Sequence, residues 1–287
     1  MSQEHFMSVY DLDMTPDGQI VNKGRLQFNS KDYSRFKYGC NRTTEKYGEL
    51  LAQEFIKKYA HLMATELDVQ NIVVASSAHK YIPTASWYIA NFFIRHVNRY
   101  LCEKGLESII SLKVHRAKLF QGDYGKLDES ERRQIFNDSD LHIDLAFIKN
   151  KKVIIIDDIR ITGSHERKLS EIIGDQATDI FFLYVATMEQ ESALKFPQIE
   201  DKINHAYINS MDDVFHFISK DRFFINARIC KFILEQSDKL QLEKHLERLP
   251  KDRLYDIYDA CVGDGYCHMD KYRENFKIIR DIVQAGD

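Results

Sequence analysis

Short apolar runs alternate along this chain with longer segments in which apolar residues recur every three to four positions. Runs of this kind predict strands buried on both faces, as in a parallel sheet, and the periodic segments between them predict helices. The central part of the chain therefore predicts an α/β fold. The apolar runs span residues 72–75, 109–114, 152–156 and 180–186, with weaker candidates at 141–148 and 202–208.

The two ends of the chain differ from this alternating centre. Residues 6–30 combine strand-like apolar positions with the turn signal Thr15-Pro16-Asp17-Gly18, which predicts a β-hairpin. After residue 210 the periodicity predicts only helices, and a Gly-Asp-Gly sequence at 263–265 predicts a loop among them. The predicted helices cover residues 211–219, 223–236, 240–249 and 272–283. The resulting division is a hairpin region at 1–44, an α/β core at 45–209 and a helical lobe at 210–287.

The segment from Val153 to Ser164 is the most informative part of the sequence. It reads Val-Ile-Ile-Ile-Asp-Asp-Ile-Arg-Ile-Thr-Gly-Ser, so two adjacent acids follow a buried strand and precede a turn of small residues. Strand ends of this kind lie at the sheet edge where open α/β folds bind ligands. A helix-like segment follows the turn, and its first backbone N–H groups can bind an anion. Asp157 and Asp158, which suit sugar hydroxyls or a metal ion, thus stand beside a predicted phosphate site.

This segment resembles the ribose-phosphate-binding motif of the type I phosphoribosyltransferases (PRTases). That family has a hydrophobic strand, two acids, a short variable stretch, and then Thr-Gly with a small or polar residue. The match runs from Val153 to Ser164, and the chain departs from the family at His165, where Thr is usual. The resemblance implies a Rossmann-like parallel sheet flanked by helices. It also implies Mg²⁺-dependent transfer of ribose 5-phosphate from phosphoribosyl pyrophosphate (PRPP) to a nitrogenous acceptor, with release of pyrophosphate.

The resemblance also implies roles for individual residues. The two acids would bind the ribose and the metal ion, and the turn would bind the 5′-phosphate through Ile161, Thr162, Gly163, Ser164 and His165. A loop after an earlier strand binds pyrophosphate in the family, and its position here is taken by Ser76, Ser77, Ala78, His79 and Lys80. A long covering loop in the family corresponds to residues 115–139, where Arg116, Lys118 and Tyr124 are predicted to reach pyrophosphate. The predicted catalytic residues are Asp157, Asp158, Lys118 and Tyr124.

Other interpretations of the sequence stay open at this point. Asp11-Leu12-Asp13-Met14-Thr15 has the Asp-x-Asp-x-Thr spacing of haloacid-dehalogenase-like phosphatases, with Asp11 as nucleophile and Asp13 as acid/base. Against that reading, no clean apolar strand leads into Asp11, and the Thr-Gly-Ser turn stays unexplained. A non-catalytic sensor of PRPP or nucleotides on the PRTase fold is another alternative, because a fold does not fix a function. The hood that recognises the base would come from residues 1–40, from 210–287, or from both.

Composition narrows the class of protein further. The chain has 287 residues, 44% of them hydrophobic, and a net charge of −4, which predicts a globular protein without a basic surface for nucleic acid. No apolar run is long enough to span a bilayer, and the first residues lack a signal-peptide pattern. Five scattered cysteines are typical of reduced thiols. We therefore expect a cytoplasmic protein that binds PRPP and a small-molecule acceptor, without nucleic-acid or membrane partners, and the resemblance makes a homodimer an expectation.

Overall fold

The structure is a computed structural model that describes residues 2–117, 141–196, 198–220 and 222–286. Its strands are β1 (Gln3–Met14), β2 (Ile20–Asn22), β3 (Ile72–Ser76), β4 (Ile110–Leu112), β5 (His115–Arg116), β6 (Leu141–His142), β7 (Lys152–Arg160) and β8 (Asp179–Met188). The main sheet has the order β2-β1-β8-β7-β3-β4. Its strands are parallel except for β2, which pairs antiparallel with β1. The predicted α/β fold with a parallel sheet is confirmed.

Helices cover both faces of the sheet and form the C-terminal part of the chain. They are α1 (Ser30–Lys37), α2 (Asn41–Tyr59), α3 (Glu66–Gln70), α4 (Ala85–Glu103), α5 (Leu145–Ile148), α6 (Ser164–Ile173), α7 (Gln190–Lys195), α8 (Ile199–Asn204), α9 (Met211–Lys220), α10 (Ala227–Leu234), α11 (Lys239–Glu247), α12 (Lys251–Asp264) and α13 (Asp270–Ala285). Within the described ranges, every helix is too short or too polar to cross a membrane.

Strand β7 shows why the apolar run in the sequence becomes a central strand. Its successive side chains point to opposite faces of the sheet. Ile154 and Ile156 pack with helices α2 and α4 on one face, while Val153 and Ile155 pack with α6 on the other. All of these side chains are buried, so an unbroken aliphatic run is what both faces require.

The strand order places a topological switch point between β3 and β7. From β3 the chain crosses to β4 on one side, whereas from β7 it crosses to β8 on the other side. Ligands of open α/β sheets bind at such a point, beyond the carboxyl ends of the strands. Here β3 ends at Ser76, and Asp157 and Asp158 lie near the end of β7. The end of β3 and the two acids therefore lie at the same edge of the sheet.

The N-terminal hairpin is part of the main sheet. The turn between β1 and β2 is closed by a hydrogen bond from Thr15 N to Gln19 O at 2.9 Å, which confirms the predicted hairpin. Strand β1 also pairs in parallel with β8 from Gln3 to Leu12. The first residues of the chain therefore extend the sheet beside β8.

The C-terminal helices have a hydrophobic cluster of their own, which is joined closely to the end of α1. Phe224 N donates to Gly39 O at 2.7 Å, and Asn41 N donates to Arg222 O at 3.1 Å. Gly39 has a φ of +83°, and a Cβ atom there would lie 2.1 Å from Phe224 O. Only glycine permits this approach, so the lobe and the α1–α2 junction form one packed unit.

Three details of the predicted secondary structure were wrong. The strand predicted at 202–208 is replaced by helix α8, because Ile199 and Ile203, four positions apart, are buried on one helical face. The strand predicted at 141–148 is limited to β6, and the rest of that segment contains the short helix α5. The loop predicted at 263–265 is the end of helix α12, where Gly265 is the left-handed C-terminal residue with a φ of +75°.

Candidate functional site

A cavity of about 430 Å³ lies at the carboxyl edge of the sheet. The segment from Asp157 to Glu166 lines it on the side of the sheet, and α10 of the C-terminal lobe lines it on another side. The remaining described walls come from the end of α1, the start of α4 and the region of α8. Together with β8 and the loop after β3, they contribute Lys37, Tyr38, Ser77, Thr84, Ala85, Tyr184, Glu200 and His205.

The two predicted acids lie in this cavity, and each is paired with a basic side chain. Asp157 Oδ2 lies 2.7 Å from Nδ1 of His165, and Asp158 Oδ2 contacts the ammonium group of Lys37. The other oxygen of each acid accepts a backbone N–H: Asp158 N donates to Asp157 at 2.9 Å, and Ile159 N donates to Asp158 at 2.7 Å. These bonds fix the orientation of both carboxylates at the end of β7.

The two carboxylates differ in their proton affinity. Burial opposes the ionisation of Asp157. The hydrogen bond and the charge of His165 are the main effects that outweigh burial, so the pKa of Asp157 is lowered. Burial raises the pKa of Asp158, and the charges of Asp157 and Glu200 add to this rise, so the nearby Lys37 does not restore the ordinary value. Asp157 is therefore the more readily ionised member of the pair.

The turn after the acids has the geometry of an anion site. Gly163 has a φ of +70°, and α6 begins directly after it at Ser164. Gly163 has no side chain to cap the first-turn N–H groups of α6. Thr162 Oγ1 lies 2.9 Å from Ser164 Oγ, so both hydroxyls stand together at the helix start. Backbone N–H groups, a helix N-terminus and two hydroxyls suit a phosphate group.

A network that the sequence did not reveal supports this turn from behind. Arg160 donates two hydrogen bonds of 2.7 Å to the carboxylate of Glu166, which is only 6% exposed. The hydroxyl of Tyr184 donates to the same carboxylate at 2.8 Å. A Cβ atom on Gly163 would lie 2.5 Å from Glu166 Oε1. The network therefore fixes the turn against β7 and β8.

We expect Glu166→Gln to lower the free energy of unfolding by about 1–3 kcal/mol, because it removes a charged acceptor shared by Arg160 and Tyr184. Urea unfolding measures this effect. The matched control is Glu171→Gln on the same helix, since Glu171 is exposed and pairs only at 3.7 Å with Lys168. The control should change stability by less than about 0.5 kcal/mol, and equal effects of the two substitutions would contradict the role of the network.

The structure brings only part of the predicted pyrophosphate loop to the cavity. Ser77 lines the cavity, and its Oγ lies 3.1 Å from Oγ1 of Thr84 at the start of α4. Lys80 instead donates to the backbone oxygen of Asp264 at 3.1 Å, and Asp264 also accepts the N–H groups of residues 81 and 82. The remaining members of the predicted loop are buried outside the described cavity lining, and these are Ser76, Ala78 and His79.

The residues predicted from the covering loop have different positions. Arg116 lies in β5, where its N–H donates to His79 O at 3.1 Å, and it is outside the described lining of the cavity. Lys118 and Tyr124 lie outside the described residues. Their predicted contacts with pyrophosphate stay predictions.

The buried position of His79 predicts a pH dependence of stability. Burial, followed by the charge of Lys113, lowers the pKa of His79 from 6.5 to about 4. Below pH 6.5 the unfolded chain binds a proton at His79, whereas the folded chain binds this proton only when the pH reaches about 4. The free energy of unfolding therefore falls as the pH drops from 6.5 to about 4. We expect His79→Gln to reduce that slope in urea unfolding between pH 7.5 and about pH 4. An unchanged slope in a variant that is folded at pH 7.5 would contradict this assignment.

The acid pair does not fit a divalent cation in the observed arrangement. Each carboxylate oxygen of Asp157 and Asp158 already accepts a hydrogen bond or contacts a basic group. Magnesium requires near-octahedral oxygen ligands at about 2.0–2.1 Å. A metal ion on these oxygens would have to displace Lys37 or His165, and the metal role of the two acids stays a prediction.

Several cavity residues were missed by sequence reasoning. Lys37 is separated from Asp158 by 121 positions, and no local motif marks it. Helix α10 was expected only as an amphipathic helix, although the N-cap residue Asn226 and its polar side face the cavity. The missed polar residues of this wall are Asn226, Arg228, Lys231, Glu235 and Gln236.

The acids of the phosphatase alternative lie elsewhere. Strand β1 runs through Asp11 and Asp13, and it mixes buried and exposed positions rather than forming a clean apolar strand. Both acids are nevertheless outside the described cavity lining. The hydrogen bond from Ser192, together with Lys23, lowers the pKa of Asp13 to about 2. A general acid/base works best with a pKa near the operating pH, so Asp13 is poorly suited to that role.

Among the comparisons with known proteins, the match to a family model is the one that bears on the motif. A hypoxanthine phosphoribosyltransferase from Staphylococcus aureus is similar in structure, with 11% sequence identity and a TM-score of 0.28, over 62% of this chain and 87% of that chain. Among curated proteins, none matches the sequence. The family model described as PRTase ComF-like matches residues 16–279, which is most of the chain. The chain therefore belongs to the ComF-like family of phosphoribosyltransferases.

Proposed function

We propose that the protein is a phosphoribosyltransferase that binds PRPP in the cavity at the sheet edge. It transfers ribose 5-phosphate to a nitrogenous acceptor and releases pyrophosphate. The observation that supports this proposal most is the adjacency of the acid pair, Asp157 and Asp158, and the left-handed turn at Gly163 in one cavity of a PRTase-family chain.

The 5′-phosphate would bind at the turn that starts α6. The N–H groups of residues 161–165 and the hydroxyls of Thr162 and Ser164 supply donors, and the helix N-terminus favours negative charge. The neighbouring side chain of His165 is held by Asp157 at 2.7 Å. In this proposal His165 takes the position of the usual Thr and adds a basic group beside the phosphate.

The ribose hydroxyls would donate to the two carboxylates. A carboxylate offers about four lone-pair sites, so each oxygen can accept a sugar hydroxyl in addition to its present partner. The same negative charges would favour the positive charge that develops on the ribose ring as pyrophosphate leaves. Asp157, whose pKa is lowered, supplies this charge at neutral pH.

The acceptor would lie towards the C-terminal lobe. Tyr38 at the end of α1 and Phe232 on α10 line the cavity, together with the polar residues of α10. A volume of about 430 Å³ lies in the usual range for small-molecule sites, which is roughly 300–1,000 Å³. The hood that recognises the acceptor would thus combine residues from both candidate regions, 1–40 and 210–287.

One observation favours the non-catalytic alternative, in which the protein senses PRPP or a nucleotide. Lys80 is directed to the backbone of Asp264, and Ala78 and His79 are buried outside the described cavity lining. A site with fewer donors for pyrophosphate would bind the pentose phosphate but assist its cleavage less.

Titration with PRPP followed by a screen of nucleobases for pyrophosphate release tests both possibilities. The enzyme proposal expects saturable PRPP binding and pyrophosphate release that depends on one acceptor, both weakened at least about tenfold by Asp158→Asn. Binding without release for any purine or pyrimidine base would favour the sensor. An absence of PRPP binding would contradict both.

A further inference from the structure

We infer that the ammonium group of Lys37 takes the place of a divalent cation at the acid pair, so that the pentose phosphate binds without Mg²⁺. This inference rests on the proposed function and names the counter-ion of its ribose site.

Lys37 is a buried lysine in the wall of the cavity. It is 7% exposed, and its ammonium group contacts Asp158 Oδ2. His165 Nδ1 lies against the corresponding oxygen of Asp157. Oδ2 of each acid therefore contacts a basic nitrogen, while Oδ1 of each acid accepts a backbone N–H group. The positive charge of Lys37 already stands where a cation would bind at Asp158.

The position of Lys37 is built by the fold. It is the last residue of α1, and its backbone oxygen accepts a hydrogen bond of 3.1 Å from the side-chain nitrogen of Asn226. Asn226 is 1% exposed, and its side-chain oxygen caps α10 by accepting Arg228 N at 3.0 Å and Ile229 N at 3.1 Å. One buried asparagine therefore ties Lys37 to the opposite wall of the cavity.

A fixed lysine and a divalent cation would compete for the same carboxylates. Magnesium at Asp158 would stand beside a buried ammonium group, where like charges repel strongly because water screens them poorly. The backbone of Lys37 is held beside the acids, because its oxygen accepts Asn226 Nδ2 at 3.1 Å and Gly39 O accepts Phe224 N at 2.7 Å. The geometry therefore favours the lysine over the metal ion.

Lys37 can also act on the ligand directly. An ammonium group has three donors, and the contact with Asp158 uses one of them. The others suit a ribose hydroxyl or a phosphate oxygen in the cavity that Lys37 lines. A neutral sugar hydroxyl can still donate to the second lone pairs of the acids, whereas a metal ion there would be repelled by the charge of Lys37.

Calorimetric titration with ribose 5-phosphate, in EDTA and in excess MgCl₂, tests the inference. Ribose 5-phosphate is the probe because the diphosphate of PRPP binds Mg²⁺ itself. Wild-type affinity is expected to agree within about twofold between the two buffers, whereas Lys37→Met should bind about tenfold more tightly with Mg²⁺ than with EDTA. Lys37→Arg keeps the charge and should stay independent of Mg²⁺. Lys46→Met, at an exposed lysine side chain on α2 that pairs with Asp32, is the matched control and should behave as wild type.

The wild-type protein alone decides the inference if a variant fails to fold. A loss of affinity of about tenfold or more in EDTA would overturn the role of Lys37 while leaving the proposed function in place. Absence of ribose 5-phosphate binding in both buffers would overturn the proposed function, and the inference with it.

Discussion

Replacing Asp158 with Asn is expected to lower the free energy of unfolding by about 3–5 kcal/mol, because it leaves a buried ammonium group without its carboxylate. The side chain of Lys37 is 8% exposed and that of Asp158 is 14% exposed. Asn retains the shape of Asp158 but not its charge. Urea unfolding at neutral pH measures the change, and ribose 5-phosphate binding should weaken at least about tenfold in the same variant.

The double variant Lys37→Met, Asp158→Asn separates charge from packing. Burial raises the pKa of Asp158, so desolvation offsets much of the attraction within the pair. Removing both charges should therefore recover much of the stability lost by Asp158→Asn, while ligand binding stays weak. If the double variant is less stable than Asp158→Asn alone, an unpaired charge is not the cause.

Replacing Gly163 with Ala is expected to weaken ribose 5-phosphate binding by about tenfold or more, since it disturbs the turn that would hold the phosphate. The left-handed conformation costs about 1–2 kcal/mol for a residue with a side chain. The new Cβ would also lie 2.5 Å from Glu166 Oε1, so the carboxylate or the turn must move. Calorimetric titration and urea unfolding measure the two effects.

Gly174→Ala is the matched control for this substitution. Gly174 stands at the other end of α6, also with a positive φ of +52°, and its Cβ would meet only Glu171 O at 3.9 Å. The control should lose stability through backbone strain yet bind ribose 5-phosphate as wild type does. Equal losses of affinity in the two variants would show that strain in α6, and not the phosphate turn, determines binding.

The part of the site that the sequence predicts is the part built from contiguous residues. The aliphatic run from Val153 to Ile156 becomes a central strand because both faces of the sheet are covered. The acids and the Gly163 turn follow it within the same segment, so their order along the chain sets their arrangement in space. The local sequence of this segment is therefore sufficient to predict the arrangement of the acids and the turn.

The remaining walls depend on contacts between distant parts of the chain. Lys37 reaches Asp158 across 121 positions, and Asn226 joins α1 to α10 across 189 positions. The loop after β3 is drawn away from the cavity by Asp264, which accepts the N–H of Tyr81 at 2.8 Å. Periodicity and spacing do not encode such pairings, so loop order alone placed Ala78, His79 and Lys80 at a site that the fold does not bring them to.

A crystal structure with bound ribose 5-phosphate is the most direct test that one cavity combines a phosphate turn and a ribose-binding acid pair. We expect the phosphate on the N–H groups of residues 161–165 and the sugar hydroxyls within hydrogen-bonding distance of Asp157 and Asp158. A phosphate bound at another place, or a cavity that stays without ligand at saturating concentration, would contradict the account.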